Sequence, residues 1–252
     1  MAIKPKKCFV ALFDILGFSD LVKAGQLQSV YRTYRKTVKT FRWWQKAISK
    51  NSSKSAAVVK SEVFSDTFLL YVDTVTDDSF STLLGMCNAL IFSAIENSLM
   101  IRGAVTAGEL IISGRAIIGK PIVEAYEHEQ RQDWMGCWLT PGCIQEVSEE
   151  KLNDLTAERL ILVYDIPLKS EDVKKYYALN WVRFMNIIYQ VLREGNLSAE
   201  DRLKRATRFL DEPPLKWDAR RKTLNTRQFR DDVLKTSVAN NSQSLAPVRI
   251  RK

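Results

Sequence analysis

An apolar run that ends in an acid followed by a glycine leaves a chain few choices, and one lies near the N-terminus: Phe9-Val10-Ala11-Leu12-Phe13-Asp14-Ile15-Leu16-Gly17-Phe18-Ser19-Asp20. The run is short and rich in Val, Phe and Ile, so it reads as a buried strand that turns sharply into a helix. Asp14 then falls at a strand end. Residues 16–19 would open the helix with several N–H groups unpaired, and such an end attracts phosphate. A carboxylate beside an anion site is contradictory unless a cation lies between them, which makes Asp14 one half of a candidate metal site.

The other half is Asp66. Two β-rich runs between Ala56 and Val72 meet at Ser65-Asp66, a composition suited to a tight hairpin turn. If these strands flank the first, Asp66 is presented at the same sheet edge as Asp14. Taken singly, each acid has a plain alternative, as an N-cap or as turn chemistry. Taken together, with Gly17-Phe18-Ser19 following the first, they favour a paired site.

Leu27, Val30, Tyr31, Tyr34, Val38, Phe41 and Ile48 recur at steps of three, four or seven and predict a long amphipathic helix, whose other face carries Arg32, Arg35, Lys36, Lys39, Arg42 and Lys46. Trp43-Trp44 beside that face reads either as a base-stacking pair or, more often for aromatics at helical spacing, as residues facing a core or a partner subunit. A second helix is predicted over 78–99, then a strand from Met100 to Ala107, a β-arm at Leu110-Ile111-Ile112 and a helix from Gly119 to Trp134. Strand, helix, two strands, helix, strand is the ferredoxin-like order, an α+β class. Beyond Thr140, a short helix at Pro141, strands at Arg159 to Val163 and Lys175 to Trp181, and helices at Arg183 to Arg193 and Ser198 to Leu210 are expected. The division expected is a core over 1–150, an extension packed on it over 151–235, and a mobile tail over 236–252.

Asp14-Ile15-Leu16-Gly17-Phe18-Ser19 closely resembles the Asp-Ile-x-Gly-Phe-Thr/Ser motif of class III nucleotidyl cyclases, and Phe64-Ser65-Asp66 resembles their hairpin. Arg102-Gly103-Ala104-Val105-Thr106-Ala107-Gly108 is similar to the family's next strand, so three motifs stand in family order over roughly residues 7–145. Two departures qualify the match. Val123 and Glu127 replace the Asn and Arg that contact ribose and phosphate in the family, and Glu62 and Ala116 replace its base-reading pair. Together with Ala178-Leu179-Asn180-Trp181, the pattern looks most like the pyrimidine cyclases of bacterial Pycsar antiphage systems.

The resemblance implies a class III catalytic domain with a C-terminal strand and helix extension. The activity implied is conversion of a pyrimidine nucleoside triphosphate, UTP favoured, to its 3',5'-cyclic monophosphate and pyrophosphate, with an antiviral second-messenger role. Cytidylate or purine cyclisation and a degenerate nucleotide-sensing domain are the alternatives. It implies two Mn²⁺ or Mg²⁺ ions held by Asp14, Asp66 and the Ile15 carbonyl, with triphosphate on the N–H groups of Leu16, Gly17, Phe18 and Ser19. Glu62 is expected either to accept the N3–H of uracil or to pair with Lys60 or another cation on the strand. Arg131 and Arg102 are the candidates to stabilise the transition state. A homodimer with shared sites is implied, as is a downstream effector reached through the product.

Composition excludes other classes. No stretch reaches the roughly 18 uninterrupted apolar residues of a membrane span, and Met1 to Lys7 does not lead into a signal peptide, so a cytoplasmic location is expected. Cys8, Cys87, Cys137 and Cys143 show neither paired metal spacing nor disulfide density. The single His128, expected on a helix surface, cannot build a zinc site or a Ser-His-Asp triad. Of the net charge of +9, residues 201–252 supply most, with 14 Lys/Arg against 6 Asp/Glu. That excess reads as a solvated basic region or as a contact for nucleic acid or acidic membrane, and the solvated reading leaves no stable nucleic-acid or membrane partner expected.

Overall fold

The computed structural model describes residues 3–25, 27–51, 57–114, 116–170, 174–192, 197–212 and 217–240. In chain order they form β1 (Lys6–Ile15), α1 (Phe18–Lys23), α2 (Leu27–Asn51), β2 (Lys60–Phe64), β3 (Thr67–Val72), α3 (Asp77–Ile95), β4 (Ile101–Ser113), β5 (Ala116–Ile118) and α4 (Lys120–Arg131). There follow β6 (Gly136–Leu139), α5 (Pro141–Ile144), α6 (Glu149–Ala157), β7 (Ile161–Ile166), β8 (Lys174–Leu179), α7 (Trp181–Leu192), α8 (Ala199–Ala206), a 3₁₀ turn at Arg208–Leu210 and α9 (Trp217–Asn240).

The strands make a mixed sheet in the order β2-β3-β1-β4-β6-β8-β7, with β5 folded back on β4. Its β2-β3-β1-β4 half, with α2 and α3 as crossovers, is the α+β ferredoxin-like arrangement expected. β1 lies centrally because both of its faces are apolar. Phe9, Ala11 and Phe13 join the main core beneath α3, while Cys8 and Val10 pack with Tyr71, Leu110 and Ile122 of α4. That alternation follows from the two-residue period of a strand. Gly103 is required where it stands: a Cβ there would lie 2.4 Å from Phe13 Cδ1 and 2.6 Å from the Leu12 carbonyl.

Several boundaries differ from the sequence reading. The strand and β-arm expected at 100–112 are one continuous strand, β4, which hairpins into β5. β6, α6 and α9 were not foreseen. Four-residue β6 is too short for periodicity to register, and α9 mixes charged and apolar residues round its circumference without a clean stripe. Tertiary contacts nonetheless fasten α9. Phe229 is fully buried against Trp134, Tyr164 and Trp181, with ring centroids 4.8, 4.9 and 5.9 Å away. The Asn225 amide donates to the Asp133 carbonyl at 2.7 Å, and Met135 N–H donates to Thr226 Oγ1 at 2.8 Å.

The strands before and after residue 150 share one sheet. β8 pairs with β6, β7 with β8, and one apolar core runs through both parts. The expected tail begins inside a helix, since α9 continues to Asn240, and the rest of 241–252 lies outside the described residues. α3 is long and apolar enough to cross a membrane by composition, but most of it is buried in the fold. All four cysteines are buried free thiols.

Candidate active site

Asp14 is the penultimate residue of β1. Strand alternation puts it on the α4 side of the sheet, in register with Thr67 of β3 and Arg102 of β4. Asp66 occupies the two-residue turn between β2 and β3, beside Ser65 in a left-handed conformation at φ 53°. The Ile15 N–H donates to the Asp66 carbonyl at 3.2 Å, which pins the turn to the end of β1. Two acids far apart in sequence are thereby gathered at one sheet end.

The electrostatics follow from this placement. Asp14 is pushed up to about 7, first by burial, then by the charges of Glu129 and Asp66, with Asp66 also accepting a hydrogen bond from the protonated form. Arg102 opposes this only in part. A carboxyl held so high is short of positive charge. The donors are hard oxygens, which suit Mg²⁺ or Mn²⁺. The residues therefore fit a divalent cation, with Ile15 offering only its backbone because its side chain is buried.

Glu129 is the member that sequence reasoning missed. It is fully buried in the last turn of α4, where it is ion-paired with Arg102, and its own carboxyl is raised by burial despite that partner. The Arg102 guanidinium also donates to the Gln132 carbonyl at 2.9 Å, and the Gln132 amide donates to the Gly103 carbonyl at 2.8 Å. Glu129 stands four residues after buried Ala125 and eight after buried Pro121, on the inward stripe of α4, and that spacing was the available signal.

Three expectations need correction. Arg102, expected as a candidate to stabilise the transition state, is committed within its own chain to Glu129 and to the Gln132 carbonyl. Leu16 N–H is not available to phosphate, because it donates to the Met100 carbonyl at 2.9 Å. Among the described residues that leaves Gly17, Phe18 and Ser19, where Gly17 takes the left-handed conformation (φ 74°) that starts the short helix α1. His128 is half-buried rather than on the surface, its ring centroid 4.4 Å from that of Trp138, and burial lowers its pKa.

The remaining residues are placed as follows. Arg131 is exposed one turn after Glu127 and two after Val123, with its guanidinium 5.8 Å from the Trp138 ring centroid. Those three residues form one open stripe on α4. Glu62 is exposed on edge strand β2, and Lys60 pairs with Asp73 at 3.0 Å rather than with Glu62. Ala116 is exposed on β5.

No family model and no curated protein sequence matches the chain significantly. Solved structures with a similar backbone include the catalytic core of a rhodopsin-guanylyl cyclase with converted specificity in complex with ATPαS, at 13% identity and TM-score 0.49, covering 70% of this chain and 96% of that one. A bacterial light-regulated adenylyl cyclase matches at 11% identity and TM-score 0.48, over 81% of this chain and 57% of its own. An adenylate cyclase from Trypanosoma brucei in its monomeric state matches at 14% identity and TM-score 0.47, over 69% of this chain and 88% of its own. Similarity at this level concerns the backbone, and the assignment of chemistry rests on the residues themselves.

Proposed function

We propose that this chain is a divalent-metal-dependent nucleotidyl cyclase acting on a pyrimidine nucleoside triphosphate, with UTP preferred and cyclic UMP as a second messenger in antiviral defence. The observation that carries the cyclase reading is the convergence of Asp14 and Asp66 at one sheet end, directly before the Gly17 turn. In the reaction the ribose 3'-hydroxyl gives its proton to water, its oxygen forms a bond to the α-phosphorus, and the bond from that phosphorus to the pyrophosphate oxygen breaks, so that pyrophosphate leaves with the electron pair. Asp14, Asp66 and the Ile15 carbonyl would hold the divalent cation, which when bound would neutralise charge on the triphosphate.

The protein's own groups set the stage for this. Asp14 offers its carboxylate from the end of β1, and Asp66 offers its own from the β2–β3 turn that the Ile15 N–H pins beside it. Arg102, held by Glu129, balances part of the acid charge and ties α4 to β4 beside Asp14. The Gly17 turn lets the backbone approach the triphosphate closely. Glu62, free of Lys60, offers an acceptor that uracil N3–H satisfies and cytosine does not, which supports the preference for UTP. Arg131, the cation on the open stripe of α4, is assigned to the transition state of a partner subunit's site, where one such donor contributes about 3 kcal/mol.

Incubation with each of the four ribonucleoside triphosphates and Mn²⁺, followed by separation of products, tests the reading. Cyclic UMP from the wild type, and none from Asp14→Ala or Asp66→Ala, is the expected result. A purine cyclic nucleotide as the main product would overturn the pyrimidine assignment. A second reading, a nucleotide sensor without turnover, draws on Val123 and Glu127 standing where the family's catalytic Asn and Arg belong, and it predicts nucleotide binding with no cyclic product.

A further inference from the structure

We propose that the outer face of α2 binds single-stranded nucleic acid, with phosphates on Arg35, Lys39, Arg42 and Lys46 and bases on Tyr31 and Trp43. Between Leu27 and Asn51 the sequence holds seven Lys/Arg and no Asp/Glu. Arg35 with Lys39, Arg42 with Lys46, and Arg32 with Lys36 are like charges one turn apart, which destabilise an isolated helix. The four named cations are exposed, and none has an acidic partner among the described residues. They line a groove of about 490 Å³ together with the two aromatics, above the half-buried Tyr34.

The tandem tryptophans explain why the aromatics are turned outward. Trp44 is anchored inside against Phe92 and Phe184, at centroid distances of 5.7 and 6.3 Å. Trp43 meets Trp44 edge-on at 82° and remains 59% exposed, and Tyr31 is 53% exposed. A ring held this way keeps a face open for a base, and stacking of that kind tolerates any sequence. Tyr31 and Trp43 are twelve residues apart, about 18 Å along the helix, a span suited to a strand of about four to six nucleotides.

Other occupants fit less well. A two-fold copy of the chain meeting on this face would set its cations against their own duplicates. A membrane-surface helix buries an apolar stripe in lipid, whereas the apolar stripe of α2, including Phe41, Val38 and Trp44, already belongs to the core. A duplex would engage the cations but leave the ring faces unused.

The test uses the full chain, a fluorescein-labelled 12-nucleotide oligouridylate and fluorescence anisotropy. Four neutralised phosphates give a slope near −3 for log affinity against log salt, about a fifty-fold loss between 50 and 200 mM KCl. Trp43→Ala is expected to weaken binding about tenfold with the slope unchanged, and Lys39→Ala to reduce the slope by about 0.7. Both positions are exposed, and an unchanged melting temperature verifies their fold. Asp14→Ala is expected to bind like the wild type, which keeps this site separate from the cyclase reading. Absence of binding at 50 mM KCl would overturn the proposal, as would indifference to both Trp43→Ala and Tyr31→Ala. Tighter binding to phosphatidylserine vesicles than to the oligonucleotide, or a dimer that Arg42→Ala dissociates without any oligonucleotide binding, would assign the face elsewhere. Displacement of the oligonucleotide by equimolar UTP would place the groove in the substrate site and refute a distinct site.

Discussion

Replacing Asp14 by Asn is expected to stabilise the metal-free protein while abolishing its activity. In the fold the Asp14 carboxyl is held at about 7 instead of 3.8, because burial, Glu129 and Asp66 all disfavour its charge. At 1.36 kcal/mol per pH unit the full difference is roughly 4 kcal/mol. Asp14 is only partly buried, so solvent screening reduces the expected gain to about 1–2 kcal/mol. Asn keeps the shape and can donate to the Asp66 carboxylate. For a carboxyl raised on folding, stability falls as pH climbs from the unfolded pKa to the folded one. The metal-free wild type should therefore lose stability progressively from about pH 4 to about pH 7 and stay penalised above it. Thermal denaturation with a chelator at pH 4 and pH 8 reads this directly, with an advantage for Asp14→Asn of about 3–6 °C at pH 8 and none at pH 4. Addition of Mn²⁺ at pH 8 should reverse the order, because a ligand bound only to the folded wild type stabilises it by mass action. An Asp14→Asn protein no more stable than wild type at pH 8, or equally favoured at pH 4, would refute the charge-starved acid pair.

Glu129→Gln leaves the Arg102 guanidinium buried without its counter-charge and should cost about 3–5 kcal/mol in urea unfolding; adding Arg102→Met should recover much of that loss. Mixing Asp14→Ala with Arg131→Ala should restore part of the cyclase activity that each lacks alone, through one intact site per heterodimer; verified subunit exchange with no recovered activity would remove Arg131 from a partner's site. Deleting residues 241–252 should leave the cyclase rate within about a factor of two, measured by product formation, whereas a cut before Phe229 should unfold the protein because it removes the ring packed against Trp134, Tyr164 and Trp181.

Much of the site was legible because its signals are local. The β1 run, the Gly17 turn and the Ser65-Asp66 hairpin follow from residue type and spacing over a few positions and stand where expected, whereas α3 ends at Ile95 rather than at 99, α8 ends at Ala206 rather than Leu210, and β6, α6 and α9 were not foreseen. The pairing of Asp14 with Asp66 was reachable because the two motifs resemble, in order and spacing, those of class III cyclases; residue types alone left it conditional on the hairpin flanking β1. Glu129 escaped notice because its one local mark, a place one turn after Ala125, does not by itself separate a buried acid from exposed neighbours such as Tyr126, Glu127 and Arg131. Arg102 could be nominated as a candidate, but its commitment to Glu129 could not be foreseen, since the two residues meet across a strand and a helix.

The sequence alone determined that an acid would end a buried strand before a glycine turn, that a second acid would sit in a hairpin, and that α2 would carry a cationic face. Tertiary structure alone decided which of Trp43 and Trp44 packs against the core, that Leu16 spends its N–H on Met100, and that α9 is held by Phe229 rather than by its own amphipathicity. The reason is the range of the forces involved. Turn geometry and periodic burial act between residues near in sequence, whereas hydrogen-bond partners, buried ion pairs and core positions depend on which distant surfaces the sheet order β2-β3-β1-β4-β6-β8-β7 brings into contact.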